Sequence, residues 1–122
     1  MSKLLFTKDH EWLKVEGDTA YVGITNYAQS ELGDIIFVEL PLENDEFNSN
    51  DIFGTIEAVK TVADLYMPVA SKIIEVNSEI ENTPELINKD SENEGWIVKI
   101  KIVNLDDITN LLSYADYQKL IK

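Results

Sequence analysis

The sequence predicts a mainly β fold: a small antiparallel sandwich or flattened barrel with short helices, two of them at the C-terminal end. Three observations carry that reading. Short apolar or alternating runs recur along the chain, separated by Gly, Pro, Asn and Asp turn signals. Helix-start chemistry is concentrated late, where Ser113 and Asp116 stand at capping-box spacing. At 122 residues with 44% hydrophobic side chains, the chain can bury one core, and one domain over residues 1–122 is expected.

Each element follows from local pattern. Residues 10–15 alternate, with Trp12 and His10 on one side and Glu11, Leu13 and Val15 on the other. Glu16-Gly17-Asp18 turns the chain into a second strand, 20–24, which closes a hairpin. Residues 26–32 read as a short helix, with Asn26 and Gln29 at capping-box spacing and Gly33 at its stop. A strongly apolar strand, 34–40, ends at Pro41, and a polar, acidic loop interrupted by Phe47 occupies 43–51. Strands are expected at 52–58, with Gly54 inside it, and at 62–69, ended by Pro68, with a tight turn at 58–61 between them. Residues 72–76 form a further strand. Thr83 reads as an N-cap with Pro84 at the first helical position, for a helix that stops near Asn88. A polar loop, 90–94, precedes a strand at 96–103 with Trp96, Val98, Ile100 and Ile102 on one face and Lys99 and Lys101 on the other. Residues 106–112 and 114–121 read as the two terminal helices.

Composition removes many functions. Twenty-three acids against ten lysines leave a net charge of −13, which repels nucleic acid and anionic membranes alike. No apolar run approaches the roughly 20 residues of a membrane span. The first residues carry charges throughout and include no Arg, so neither a secretory signal nor a transit peptide is expected. A bacterial cytoplasm fits better than a mitochondrial matrix. Without Cys there is no disulfide, thiol nucleophile or thiolate metal site. A single His excludes a multi-histidine metal centre.

Lys60 stands out on local grounds. It sits at the tip of a turn that has none of the usual turn residues, between Val59 and Thr61, with Glu57 three before it and Asp64 four after. An exposed lysine amine can be acylated, which removes its charge and can attach a cofactor arm. By itself this pattern also describes one solvated lysine among ten. His10 with Ser30 or Ser49 has the residue types of a hydrolase, but no Gly-x-Ser-x-Gly elbow exists. Glu43, Asp45 and Glu46 lack the spacing and glycine of a calcium loop, so a solvated face is expected there.

Taken in order, the segments resemble the H-protein family of the glycine cleavage system. The matching stretches are His10-Glu11-Trp12, Val22-Gly23-Ile24-Thr25, Tyr27-Ala28-Gln29, Leu32-Gly33-Asp34-Ile35 and Phe37-Val38-Glu39-Leu40-Pro41. Phe53-Gly54, Glu57-Ala58-Val59-Lys60, Pro68-Val69, Glu75-Val76-Asn77, Pro84-Glu85-Leu86-Ile87-Asn88 and Glu94-Gly95-Trp96 continue the series. The resemblance covers nearly the whole chain and implies a lipoyl-domain-like hybrid motif. It also implies lipoic acid attached to Lys60, in a carrier that is not itself an enzyme. The lipoyl-lysine would take the aminomethyl group of glycine from the pyridoxal-phosphate glycine decarboxylase. A tetrahydrofolate-dependent aminomethyltransferase would receive it, and dihydrolipoamide dehydrogenase would reoxidise the arm. Lipoate-attaching enzymes complete the implied partners, and a monomer is expected. Glu11, Ile24 and Asp64 match residues that line the family's cleft for the loaded arm. The hairpin tip is the expected signal for the attaching enzyme, with Glu57 as an expected secondary contact.

Departures fall in loops. Ala58 stands where Ser is common, and Thr61-Val62 replaces a smaller pair. Ser71-Lys72 lacks the usual Gly, as does the turn at 48–51, where Asn can supply the positive φ instead. The loop before Gly95 lacks a common Pro-Tyr. A lipoyl domain of a 2-oxoacid dehydrogenase would place Asp-Lys-Ala at the lysine, and a biotinyl domain would flank it with Met. A lipoyl-relay protein and an unmodified interaction module remain as other readings.

Overall fold

The computed structural model describes residues 3–121. Among the described residues, nine strands form two antiparallel sheets. β1 (Lys3–Phe6), β2 (Glu11–Glu16), β3 (Thr19–Ile24), β9 (Val98–Ile102), β8 (Ser71–Val76) and β5 (Glu46–Phe47) form a six-stranded sheet in that order. β4 (Ile35–Glu39), β6 (Ile52–Ala58) and β7 (Val62–Tyr66) form a three-stranded sheet. Four short helices are α1 (Asn26–Leu32), α2 (Glu79–Asn82), α3 (Leu86–Asp90) and α4 (Tyr114–Leu120), with a 3-10 turn at Leu105–Asn110. The two sheets stay separate, so the architecture is the sandwich rather than a closed barrel.

Strand register explains the core. Leu5 opposes Leu13, Leu13 opposes Val22 and Val22 opposes Val98, so four buried side chains form one row across four strands. Val15, Ala20, Ile100 and Ile73 form the next. Paired residues on one face pack directly, which is the unit of sheet stabilisation. Ile35, Val38, Phe53, Ile56 and Leu65 complete the core from the smaller sheet.

A second, smaller cluster lies on the other side of β1 and β2, where Phe6, Trp12 and Tyr117 pack together. Phe6 stacks on Tyr117 of α4 at 4.9 Å. Trp12 donates its indole N–H to the Ser91 carbonyl at 2.9 Å. Gly23 opposes Trp12 in the ladder, and its missing side chain makes room for the ring.

Several local expectations change. β1 and the two-residue β5 are strands that the sequence pattern does not announce. α1 is capped by Thr25, whose hydroxyl accepts the Ala28 N–H, while the Asn26 side-chain oxygen accepts from the Gln29 amide and caps nothing. Thr83 ends α2 instead of starting a helix, and α3 begins after it. The first terminal helix is a 3-10 turn. Trp96 does not share the face of Val98; the backbone is irregular before β9, Ile97 takes the core, and Trp96 turns out to meet Tyr21 at 5.1 Å. Asn50 adopts φ 72° and replaces the missing turn glycine.

A methyl group at Gly23 would lie 2.7 Å from the Trp12 ring. Gly23→Ala should therefore lower the unfolding free energy by about 1–3 kcal/mol, read as a lower urea midpoint at unchanged slope.

Candidate functional site

Lys60 stands at the β6–β7 hairpin. Glu57 opposes Val62, and the Ala58 N–H donates to the Thr61 carbonyl at 2.8 Å. Val59 and Lys60 are the two loop residues. Neither has a positive φ, so this loop avoids the primed turns that demand Gly or Asn. That explains a tip without turn residues. The loop is anchored from outside instead: the Val59 N–H donates to the Asp34 carbonyl at 2.9 Å.

Asn88 fixes the anchor. Its amide nitrogen donates to the Gly33 carbonyl at 2.8 Å and to Gln29 Oε1 at 3.0 Å, and its oxygen accepts the Ile35 N–H at 2.9 Å. Gly33, at φ 81°, lies beneath the Lys60 stem, and a methyl group there would sit 3.3 Å from Lys60 Cε. Lys60 itself is exposed and makes no ion pair among the described residues.

A cleft of about 290 Å³ opens beside α1, its wall shared by the end of α1, β6 and the outer edge of β7. It brings together Glu11, Ile24 and Asp64, which are far apart in sequence. Its apolar floor includes Ile24, Ala28, Leu32, Ile56 and Leu65; its polar wall holds four carboxyl groups, Asp9, Glu11, Glu31 and Asp64. No lysine lines it. Such a site suits an aliphatic chain ending in a cation. Glu57 lies elsewhere, exposed on the outer face of the three-stranded sheet between Phe37 and Val62.

Glu11 is almost fully buried at 2% exposure. One carboxyl oxygen accepts the Tyr66 N–H at 2.9 Å and the other the Thr7 hydroxyl at 3.1 Å. Burial pushes its pKa up to about 8, against the opposing pull of those two bonds, and the Asp9 charge adds to the rise. Asp64 is exposed. His10 also lines the cleft, in a left-handed backbone at φ 70°. Its Nδ1 bonds the Tyr117 hydroxyl at 2.9 Å, which bonds Thr25 Oγ1 at 2.7 Å. Its partner is thus a tyrosine, and Ser49 donates to the Pro68 carbonyl instead, so no hydrolase constellation forms. Asp45 accepts the Leu42 N–H and caps a turn.

The sequence pattern does not single out Gly33, Asn88 or the Tyr66 amide. Each acts through a contact between segments distant in the chain, and only the glycine after α1 leaves a local trace.

The family model for the glycine cleavage H-protein matches residues 4–122. The chain belongs to this family. It is 49% identical over 116 residues to the glycine cleavage system H protein of Bacteroides fragilis, covering 95% of this chain and 92% of that one. The crystal structure of a glycine cleavage system H protein from Mycobacterium marinum superposes with a TM-score of 0.88 at 32% identity, over 96% and 94% of the two chains. Membership of the H-protein family connects the chain to glycine cleavage. No helix among the described residues is long and apolar enough to cross a membrane.

The buried Glu11 makes stability depend on pH. Its folded pKa, about 8, lies above the ordinary 4.5, so the folded state holds a proton that the unfolded state releases. Stability should fall as pH rises from about 4.5 to about 8 and level beyond it. General repulsion in an acidic chain has the same sign, so the difference from Glu11→Gln isolates the group. Between pH 5 and pH 8 the wild type should lose at least about 1 kcal/mol more than Glu11→Gln, measured by urea denaturation.

Proposed function

We propose that this protein is the lipoyl carrier of the glycine cleavage system, acting in a bacterial cytoplasm as a single domain, with lipoic acid amide-linked to Lys60. The observation that carries this reading is the pairing of an anchored, exposed lysine tip with a nearby cleft of fitting chemistry. The family match supports glycine cleavage as the process it serves. When attached, the lipoyl group supplies a disulfide that accepts the aminomethyl group of glycine from the pyridoxal-phosphate decarboxylase. The aminomethyltransferase would pass the methylene to tetrahydrofolate with release of ammonia, and the flavin of dihydrolipoamide dehydrogenase would reoxidise the dithiol that remains. The chain's own residues place the group and shield it. An arm of about ten bonds reaches on the order of 10–15 Å.

Residues of the cleft divide the task. Ile24, Leu32 and Ile56 offer an apolar floor to the hydrocarbon part of an arm. Asp9, Glu31 and Asp64 set a negative potential at its wall. Glu11 holds a proton at neutral pH for as long as no cation is beside it. An ammonium group entering the cleft favours the carboxylate, so Glu11 gives up that proton and gains an ion partner. The apolar floor limits the water that reaches a group lying against it.

Intact-mass measurement on protein from its native cell tests the attachment. One lipoyl group is expected on Lys60 and none in Lys60→Arg; a group on Lys72 or Lys89 overturns the assignment. For the cleft, Glu11→Gln keeps an oxygen for the Tyr66 N–H but cannot become anionic. Lipoylated Glu11→Gln should lose the aminomethyl group from the isolated loaded protein about tenfold faster than wild type, since a shielded ion pair is worth about 1.4 kcal/mol or more. An equal decay rate removes Glu11 from the cleft's role.

A further inference from the structure

Among the large apolar side chains open to solvent, Ile36, Phe37, Val59 and Val62 gather at the Lys60 end of the three-stranded sheet, each more than half exposed. Register accounts for the grouping. Phe37 opposes Glu57 and Glu57 opposes Val62, so the three form one row across the outer face. The register of β4 shifts between Ile35 and Phe37. In strict alternation Phe37 would share the inward face of Ile35; the bulge turns both Ile36 and Phe37 outward. A bulge that exposes an aromatic side chain gives up solvation and ladder regularity, and a patch of this kind marks an interaction surface.

Charge defines what fits it. The adjacent row on the same face is Glu39, Thr55 and Asp64. Glu57 lies within the apolar row itself. Lys60 is the cation of the hairpin tip, and acylation converts its amine into a neutral amide. The modified carrier therefore presents an apolar row with carboxylates only.

We propose that this row is the docking surface for the enzyme that loads the arm, the pyridoxal-phosphate decarboxylase of glycine cleavage, which meets it with an apolar ledge bordered by lysine or arginine. The inference rests on the carrier reading. An enzyme that attaches the arm binds while Lys60 is still cationic, which weakens its attraction to basic side chains. The loading enzyme meets a neutral tip. It must also receive the arm extended from that tip, so the face around the tip leads into the entrance.

The test is steady-state loading by the purified decarboxylase with carrier preparations that intact mass shows to be fully lipoylated on Lys60. The variants are Val62→Ser and the double variant Phe37→Ser with Val62→Ser. Leu42→Ser and Val103→Ser serve as controls, since both side chains are 74% exposed and lie outside the row. The double variant should raise the carrier's KM about tenfold with kcat within about twofold. Val62→Ser alone, with the less demanding fold change, should raise it about threefold. The controls should match wild type. An unchanged KM in the row variants, or an equal rise in the controls, overturns the proposal. So does a rise confined to the aminomethyltransferase step, which would give the surface a different occupant. Because every protein compared is lipoylated on Lys60, these failures are separate from failure of the carrier reading, which would appear as an absent lipoyl group.

Discussion

The side-chain amide of Asn88 holds the Lys60 end of the molecule together. It bonds the last turn of α1 through Gln29, the chain reversal through the Gly33 carbonyl, and the start of β4 through the Ile35 N–H. An Asn side chain has two donors and one acceptor oxygen, and all are engaged here. The segment so fixed offers the Asp34 carbonyl to the Val59 N–H, one residue from Lys60. The hairpin tip is therefore tied to a helix pair as well as to its own strands. An arm anchored at such a point swings about its own bonds, and the domain stays still.

Glu11 performs a comparable service between the sheets. It belongs to β2 of the larger sheet and accepts the amide of Tyr66 at the end of β7 in the smaller one. Both carboxyl oxygens are occupied, and burial favours the neutral form. A neutral acid in a wall that also holds three other carboxyl groups keeps their mutual repulsion low. The same acid would ionise beside a cation. Stability of the fold favours the protonated form, and a cationic guest of the kind proposed above would favour the carboxylate.

Much of the fold is legible in the sequence because period-two alternation maps directly onto one buried face. Residues 11–15 and 98–102 show it, and both lie in the large sheet, whereas His10 falls in the turn before β2. The failures share a cause as well. β1 is buried only at Leu5 and Phe6, so half its pattern is missing. Trp96 loses phase at an irregular backbone, and the bulge at Ile36 shifts the phase of a strand that reads only as strongly apolar. Thr25 outcompetes Asn26 as a cap because its hydroxyl is also bonded to Tyr117, a contact 92 residues away. The candidate site divides along the same line. Lys60 shows in the sequence as an anomaly of turn chemistry, whereas Glu11, Ile24 and Asp64 are grouped only by family resemblance until the strands bring them to one cleft. Asn88 acts through packing that no local pattern encodes, and Gly33 shows locally only as the stop of α1.

The hairpin tip carries one further consequence. With neither Val59 nor Lys60 in a left-handed conformation, no position of the loop is reserved for glycine or asparagine. The anchoring bond to Asp34 uses the backbone of Val59 and leaves its side chain open. The identities of the residues around the lysine are thus nearly free of any duty to the fold. Such positions can drift with the surfaces they meet, so the tip can serve as an address that is rewritten without refolding the molecule that bears it.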